Sequence, residues 1–343
     1  MKKILEMILS VALLLSCFSG CNIERPVNSE SETVGVQETP VEDFEYKLNH
    51  LGNAIIITKY IGNDEHFVIP SEIDGLPVIT IGSYEVLEDH YYVSVGAFQN
   101  SNIKSVVIPD SVEYIQKAFA DCKYLTEVAF GKNSKLDTID SAFKNCTSLE
   151  AIDLSTTKLT EIYNDAFNGC KSLKDIKIPD SVTSIGERAF YECESLEEIV
   201  LPNQLEEINK FAFGYCTSLK TINIPAKLNI NEGSSQSAFH NIPSLEKVIF
   251  EEGREEIKGF AFISITSEAE IIIPASVKKL SLWSVFFLNP ANAKIIFLGD
   301  CPEILNEMLD EFYAVPTIYY DPNTEGWDNC ILKEVGYTLL PIE

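Results

Sequence analysis

At 343 residues and 45% hydrophobic content, the chain has ample material for a core. Its formal charge of −26, from 52 acidic against 26 basic residues, argues against nucleic acid and against docking on bare anionic lipid, because an acidic surface gains no counterion release from phosphates. Charged partners should be basic or bridged by calcium, unless the acids serve only to keep a long, exposed molecule soluble.

Residues 1–21 read as an export signal, with Lys2 and Lys3, an apolar run from Ile8 to Leu15, and small residues before a cysteine; Glu6 is an irregularity. The run is short for a bilayer span, which disfavours an uncleaved anchor. Phe18-Ser19-Gly20-Cys21 resembles the lipobox of bacterial lipoproteins, making Cys21 the candidate lipidation site, with Cys17 after Leu14-Leu15-Ser16 as the second candidate. Contact with a membrane is expected only through this lipid. Residues 22–43 offer little to bury, and between Pro26 and Tyr46 there are six acids and no Lys or Arg, the composition of a tether.

Residues 44–96 contain the strand-like runs Ala54–Thr58, Phe67–Pro70 and Val78–Gly82, which should cap the amino-terminal end of the ordered chain. Between Gly82 and Val95 the chain inserts a stretch with Tyr84, Tyr91 and Tyr92. These residues suit contact with a protein or a sugar, or else pack on the edge of the fold.

From residue 97 to 300 one phrase keeps returning. An Ala-Phe or Val-Phe pair places Phe98, Phe119, Phe143, Phe167, Phe190, Phe213, Phe239, Phe262 and Phe286 at spacings of 21, 24, 24, 23, 23, 26, 23 and 24 residues. A fixed period of this length marks a stacked-repeat architecture, in which no unit buries its apolar face without a neighbour. In the clearest unit, Ile176 and Ile178 alternate with Asp175 and Lys177, giving a strand with Ile inward. Pro179 ends that strand, Asp180-Ser181 turns the chain, and Val182 and Ile185 point back inside on a second, shorter segment. Adjacent strands about 4.8 Å apart would make a parallel ribbon about 40 Å long.

The pattern Ala-Phe-x-x-Cys-x-x-Leu-x-x-Ile-x-Ile-Pro-x-Ser-Val-x-x-Ile resembles the BspA-like leucine-rich repeat over roughly residues 44 to 340, with Cys122, Cys146, Cys170, Cys193 and Cys216 in register and Ile242 and Ile265 in that slot later. The resemblance implies a right-handed repeat solenoid with a long parallel β-sheet and short second strands or turns on the other side. It further implies a protein of the bacterial surface, adhesin-like, that binds host matrix or another cell-surface protein. It brings no catalytic residue, cofactor or metal.

Five cysteines in one slot form an inward column, able to oxidise in an exported protein but better read as buried free thiols, since none of the four His residues shares the period. Cys301 and Cys330 fall outside the register, in a carboxy-terminal cap over 301–343, where a crosslink could staple the end. The outward strand column reads Val107, Ala129, Asp153, Lys177, Val200, Asn223, Ile249, Ile272 and Ile296. Its last three members form an apolar stripe that either binds a partner or is covered by residues 301–343. The insertion 231–236 has the composition of a loop.

No phosphate loop, metalloprotease or hydrolase motif is present. Asp153 and Asp175, on neighbouring coils, are the best case for a catalytic pair, and no base, metal or nucleophile accompanies them. The sequence therefore points to a lipid-anchored, non-enzymatic surface module that binds a protein through its sheet. A glycan-capturing lipoprotein and a spacer without ligand are the rivals.

Overall fold

The computed structural model describes residues 38–86, 92–229, 238–257, 262–263, 269–280, 294–305, 317–334 and 336–342. Cys17, Cys21, Tyr91, Ile265, Phe286 and the 231–236 insertion lie outside these.

Each coil runs along three sides, and the sequence dictates where each ends. On the first side, strands such as Asp175–Lys177 are cut short by proline, which cannot donate to a ladder. The proline carbonyl then closes a turn, accepting from Val112 at Pro109, Val182 at Pro179, Leu205 at Pro202, Leu228 at Pro225 and Val277 at Pro274. On the second side the chain returns through a strand of two or three residues, such as Ser184–Ile185.

The second side carries the longest ladder. A strand β1 (Phe44–Leu48) pairs antiparallel with β2 (Ile55–Tyr60), and from β2 onward parallel pairing runs through Leu76–Ile81, Tyr114–Gln116, Thr138–Asp140, Glu161–Ile162, Ser184–Ile185 and Glu207–Ile208. The first side, expected to carry one uninterrupted sheet, is divided into ladders of three, two and seven strands. The longest of these starts at Glu198–Ile199 and ends at Leu339–Pro341. Helix is confined, among the described residues, to one turn at Ile331–Glu334 and two 3-10 turns.

The third side, holding the Ala-Phe pair, forms no strand over most of its length, yet its backbone also bonds from coil to coil. Lys117, Phe119 and Asp121 donate to the carbonyls of Asp140, Ala142 and Lys144, and Phe143, Phe167 and Phe190 donate to those of Ala166, Ala189 and Ala212. The residues two before and two after Phe119, Phe143, Phe167, Phe190 and Phe213, such as Asp165 and Gly169 or Phe211 and Tyr215, hold positive φ. The buried amides are thereby satisfied along the stack on all three sides.

Inside, Phe98, Phe119, Phe143, Phe167, Phe190, Phe213 and Phe239 form one column, with centroids 5.1–5.5 Å apart and planes within 16° of parallel. Phe67 and Tyr60 extend it to the amino-terminal end. All seven Phe side chains are buried.

One slot departs from the core pattern. Where neighbouring coils place Leu205, Leu228 and Val277, this chain has Arg254, 8% exposed. Its Nη2 donates to the carbonyls of Pro225 and Leu228, its guanidinium lies 5.9 Å from the Phe250 ring centroid, and burial pulls its pKa down.

At the carboxy end Cys301 and Cys330 are joined in a disulfide. Trp327 stacks on Tyr320, meets Phe297 edge-on and donates from Nε1 to the Gly299 carbonyl.

Two substitutions separate the column from its irregularity. Phe167→Ala should cost about 3–5 kcal/mol in chemical denaturation, because stacked neighbours above and below cannot close the cavity. Arg254→Leu should be neutral or stabilising by about 1–4 kcal/mol, because an apolar side chain at that slot removes a buried charge that has no carboxylate partner among the described residues.

Candidate interaction surface

The cysteine column is structural. Cys122, Cys146, Cys170, Cys193 and Cys216 are buried free thiols. Each S–H donates to the carbonyl of a Phe in the preceding coil, at 3.0, 3.1, 3.1, 3.4 and 3.2 Å. Those of Phe119, Phe143, Phe167 and Phe190 also accept the cysteine N–H of their own coil. Burial raises the thiol pKa values, to about 11 at Cys122 and about 12 at Cys170 and Cys216. A small side chain with a weak donor fits the slot; Ile242 fills it later in the chain with a larger, fully apolar side chain that has no donor.

The expected apolar stripe is in register, since Ile249 pairs with Ile272 and Ile272 with Ile296, but it is not open. Ile249, Ile272 and Ile296 are 6%, 2% and 7% exposed and form a second apolar cluster on the outer face of the sheet, packed by Leu298, Tyr319 and Ile342. The chain's own carboxy-terminal residues supply part of this cover. Of the two expectations for the stripe, cover describes these residues: they form a small outer core rather than an open contact surface. Only the earlier part of the column stays accessible, with Val107 and Val200 at 37% and 47% exposure and Asp153 and Lys177 between them.

Asp153 and Asp175 do not face one another. Asp153 stands opposite Lys177 and bonds its Nζ at 2.8 Å, while Asp175 stands opposite Ala151. Partial burial works to raise the Asp153 pKa, but Lys177 and Ser155 outweigh it and hold the carboxyl low. It is thus kept ionised, the opposite of what a general acid requires. Similar coil-to-coil pairs join Glu150 to Lys174 and Glu197 to Lys220. All are exposed, so each contributes little stability while using up the scarce lysines.

The tyrosine insertion is an antiparallel hairpin. Ser83–Val86 pairs with Tyr92–Val95, setting Tyr84 opposite Ser94 and Val86 opposite Tyr92.

One cluster was not found by periodicity. On the third side, across three successive coils, Tyr191, Phe211, Tyr215 and His240 form a partly exposed group of rings. Centroids lie 5.2 Å apart for Tyr191 and Tyr215, 5.4 Å for Phe211 and His240, and 5.5 Å for Tyr215 and His240, with interplanar angles of 61–79°. Arg188 lies 5.7 Å from the Phe211 centroid. The Tyr191 ring lies over Gly214, where an added Cβ would come within 3.0 Å of it. Phe211 and Tyr215 hold φ of 56° and 60°, in slots that other coils fill with Lys117, Ser141, Asp165 and Arg188, and with Asp121, Asn145, Gly169 and Glu192, so that these are the slots' only rings among the described residues. Left-handed backbone costs a bulky L-residue about 1–2 kcal/mol, so these rings stand where the fold alone would favour Asn or Gly. The Nδ1 of His240 is buried without a hydrogen-bond partner. Burial, then the Tyr215 and Glu192 charges, raise the Tyr191 pKa.

Among the described residues no helix is long and apolar enough to cross a membrane, and no group of His, Cys, Asp or Glu is placed to hold a metal ion.

Stacked coils joined along their length by parallel strands, with one Phe and one small residue per coil inside, define a leucine-rich repeat solenoid. A model of the BspA type leucine rich repeat region matches in six copies over residues 91–196, 138–235 and 160–292, more than half of the chain, and the chain belongs to that family. No match was found among curated proteins. Among solved structures the chain is similar to a leucine-rich repeat protein from Bacteroides ovatus, at 20% identity and a TM-score of 0.47 over 83% of this chain and 71% of that one. It is also similar to a leucine rich cell surface protein from Faecalibacterium prausnitzii, at 20% identity and 0.37 over 79% and 96%. A third is the pneumococcal vaccine antigen PcpA, at 16% identity and 0.32 over 90% and 99%.

The thiol column gives a pH signature. Because burial raises the folded pKa values above the thiols' ordinary 9.0, the folded state holds these protons more tightly than the unfolded one, and its stability is undiminished below about pH 9 and lost as pH rises through about 11–12. Denaturation midpoints should be flat from neutral pH to about 9 and fall above it. At pH 8 the five thiols should resist maleimide in the native chain and react on unfolding.

Proposed function

We propose that this chain is a non-enzymatic protein-binding module of the bacterial surface, held by a lipid on Cys21 and a short acidic tether, and that it engages its partner through the ring cluster of the third side. The observation that carries this reading is the pair Phe211 and Tyr215. Both are large aromatics kept at left-handed positions, partly exposed, beside Tyr191, His240 and Arg188. Tyr and Arg dominate the energetics of protein interfaces, and backbone strain concentrates at functional sites.

The surface placement draws on the export signal and on membership of the repeat family. A protein partner is favoured over a glycan because the rings meet edge-on and offer no single flat platform. The stretch bearing Tyr84, Tyr91 and Tyr92 is a secondary contact. The open sheet residues Val107 and Val200 lie within reach of a partner that wraps the solenoid.

The test is capture of surface and matrix proteins by the native chain beside its Phe211→Asn/Tyr215→Asn double variant and an Ile249/Ile272/Ile296→Ser triple variant. The double variant should keep its melting temperature within a few degrees, because relief of left-handed strain offsets lost ring contacts, and should lose binding by tenfold or more for about 1.4 kcal/mol of contact energy. The triple variant should unfold earlier, since its residues are covered. Binding that survives in the double variant and vanishes in a well-folded triple variant would return the site to the sheet face.

A further inference from the structure

The amino-terminal end of the longest ladder is an open edge. β1 is the outermost strand of its sheet, and its burial runs from a buried Phe44 to exposed Glu45, Tyr46, Lys47 and Leu48. The Asn49 N–H reaches the Ala54 carbonyl at 2.9 Å and the Ile61 N–H reaches the Asp43 carbonyl at 2.8 Å. The odd-numbered residues therefore bond toward β2, and alternation turns the backbone groups of Tyr46 and Leu48 outward. Tyr46, Leu48, Leu51 and Ile61 are 38%, 55%, 69% and 49% exposed, so both ends of the strand are flanked by apolar side chains.

We infer that β1 is a self-complementary docking edge, and that its partner is the β1 of a second copy of this chain. An antiparallel pairing with its two-fold axis at Tyr46 sets Tyr46 against Tyr46, Phe44 against Leu48 and, on both sides, Glu45 against Lys47. Outward backbone groups at positions 46 and 48 match the hydrogen-bonded rungs of that register. Opposite charges at mirrored positions favour this pairing, whereas a strand docked in parallel, or shifted by two residues, breaks both ion pairs. Charges on an edge ordinarily discourage pairing; arranged about a centre, they discriminate for the chain itself. The contact is isologous and closed, giving a dimer joined end to end, with both tethers at the junction. It does not depend on the ring cluster, which lies several coils away.

Sedimentation of the full-length chain in mild detergent should show a dimer. Glu45→Lys and Lys47→Glu should each weaken it by about tenfold or more, since two cross-strand pairs become repulsive. An equimolar mixture of the two variants should restore a dimer, because positions 45 and 47 are then both basic in one chain and both acidic in the other, and every mirrored pair is again of opposite sign. Tyr46→Cys should crosslink to twice the chain mass on a non-reducing gel, above the unsubstituted background, and Leu48→Cys should not. A wild-type monomer at the highest soluble concentration, a dimer insensitive to the charge variants, or crosslinking through Leu48→Cys but not Tyr46→Cys would overturn the inference.

Discussion

The constraint on which the whole molecule depends is that a coil cannot satisfy its own backbone. On each of the three sides, N–H and C=O groups bond to the coils above and below, and a coil removed from the stack would strand them in an apolar interior. The period is a consequence. Each rung must sit over the rung before it, so the Phe column keeps parallel planes at 5.1–5.5 Å. Extra residues can leave only where the chain turns away from the ladder, as the hairpin after Gly82 does.

The same constraint explains what fills the core. The side chains in register must be ones that tolerate a copy of themselves directly above. Flat rings do this by stacking, and cysteine does it by donating its S–H to a carbonyl one coil away rather than to its own neighbour sulfur. Arg254 is the instructive exception. It survives inside because its guanidinium reaches two turn carbonyls, Pro225 and Leu228, that a leucine would leave without this donor.

Much of this was legible in the sequence because the fold repeats its instructions. The Phe, Cys and Leu columns, the proline that ends many of the first-side strands and the inward Ile positions were all set by residue type and period. Two things were not legible and a third was left undecided, each for a physical reason. The third side's ladder was hidden because its left-handed positions hold Asn, Gly and Asp in some coils but Lys, Arg, Phe and Tyr in others. The cover over Ile249, Ile272 and Ile296 was one of two readings the sequence left open, because alternation within a strand tells which face a residue takes, and nothing about what lies over that face. The ring cluster was hidden because Tyr191, Phe211, Tyr215 and His240 occupy different slots of three coils, and only the stacking offset brings them together.

This division also says where function can sit in such a chain. Core slots are bound by the neighbours above and below, and a substitution there is felt along the stack. Outward slots carry no such demand, and most have been filled with acids and a few paired lysines, which confer solubility without specificity. Against that background, a costly choice at an outward slot carries information. Phe211 and Tyr215 hold a backbone conformation that Asn or Gly would adopt more easily, and they place rings in the partly wet region of the third side. The backbone position alone does not call for rings there, which is why the proposed contact is placed on them rather than on the paired charges of the other outward slots.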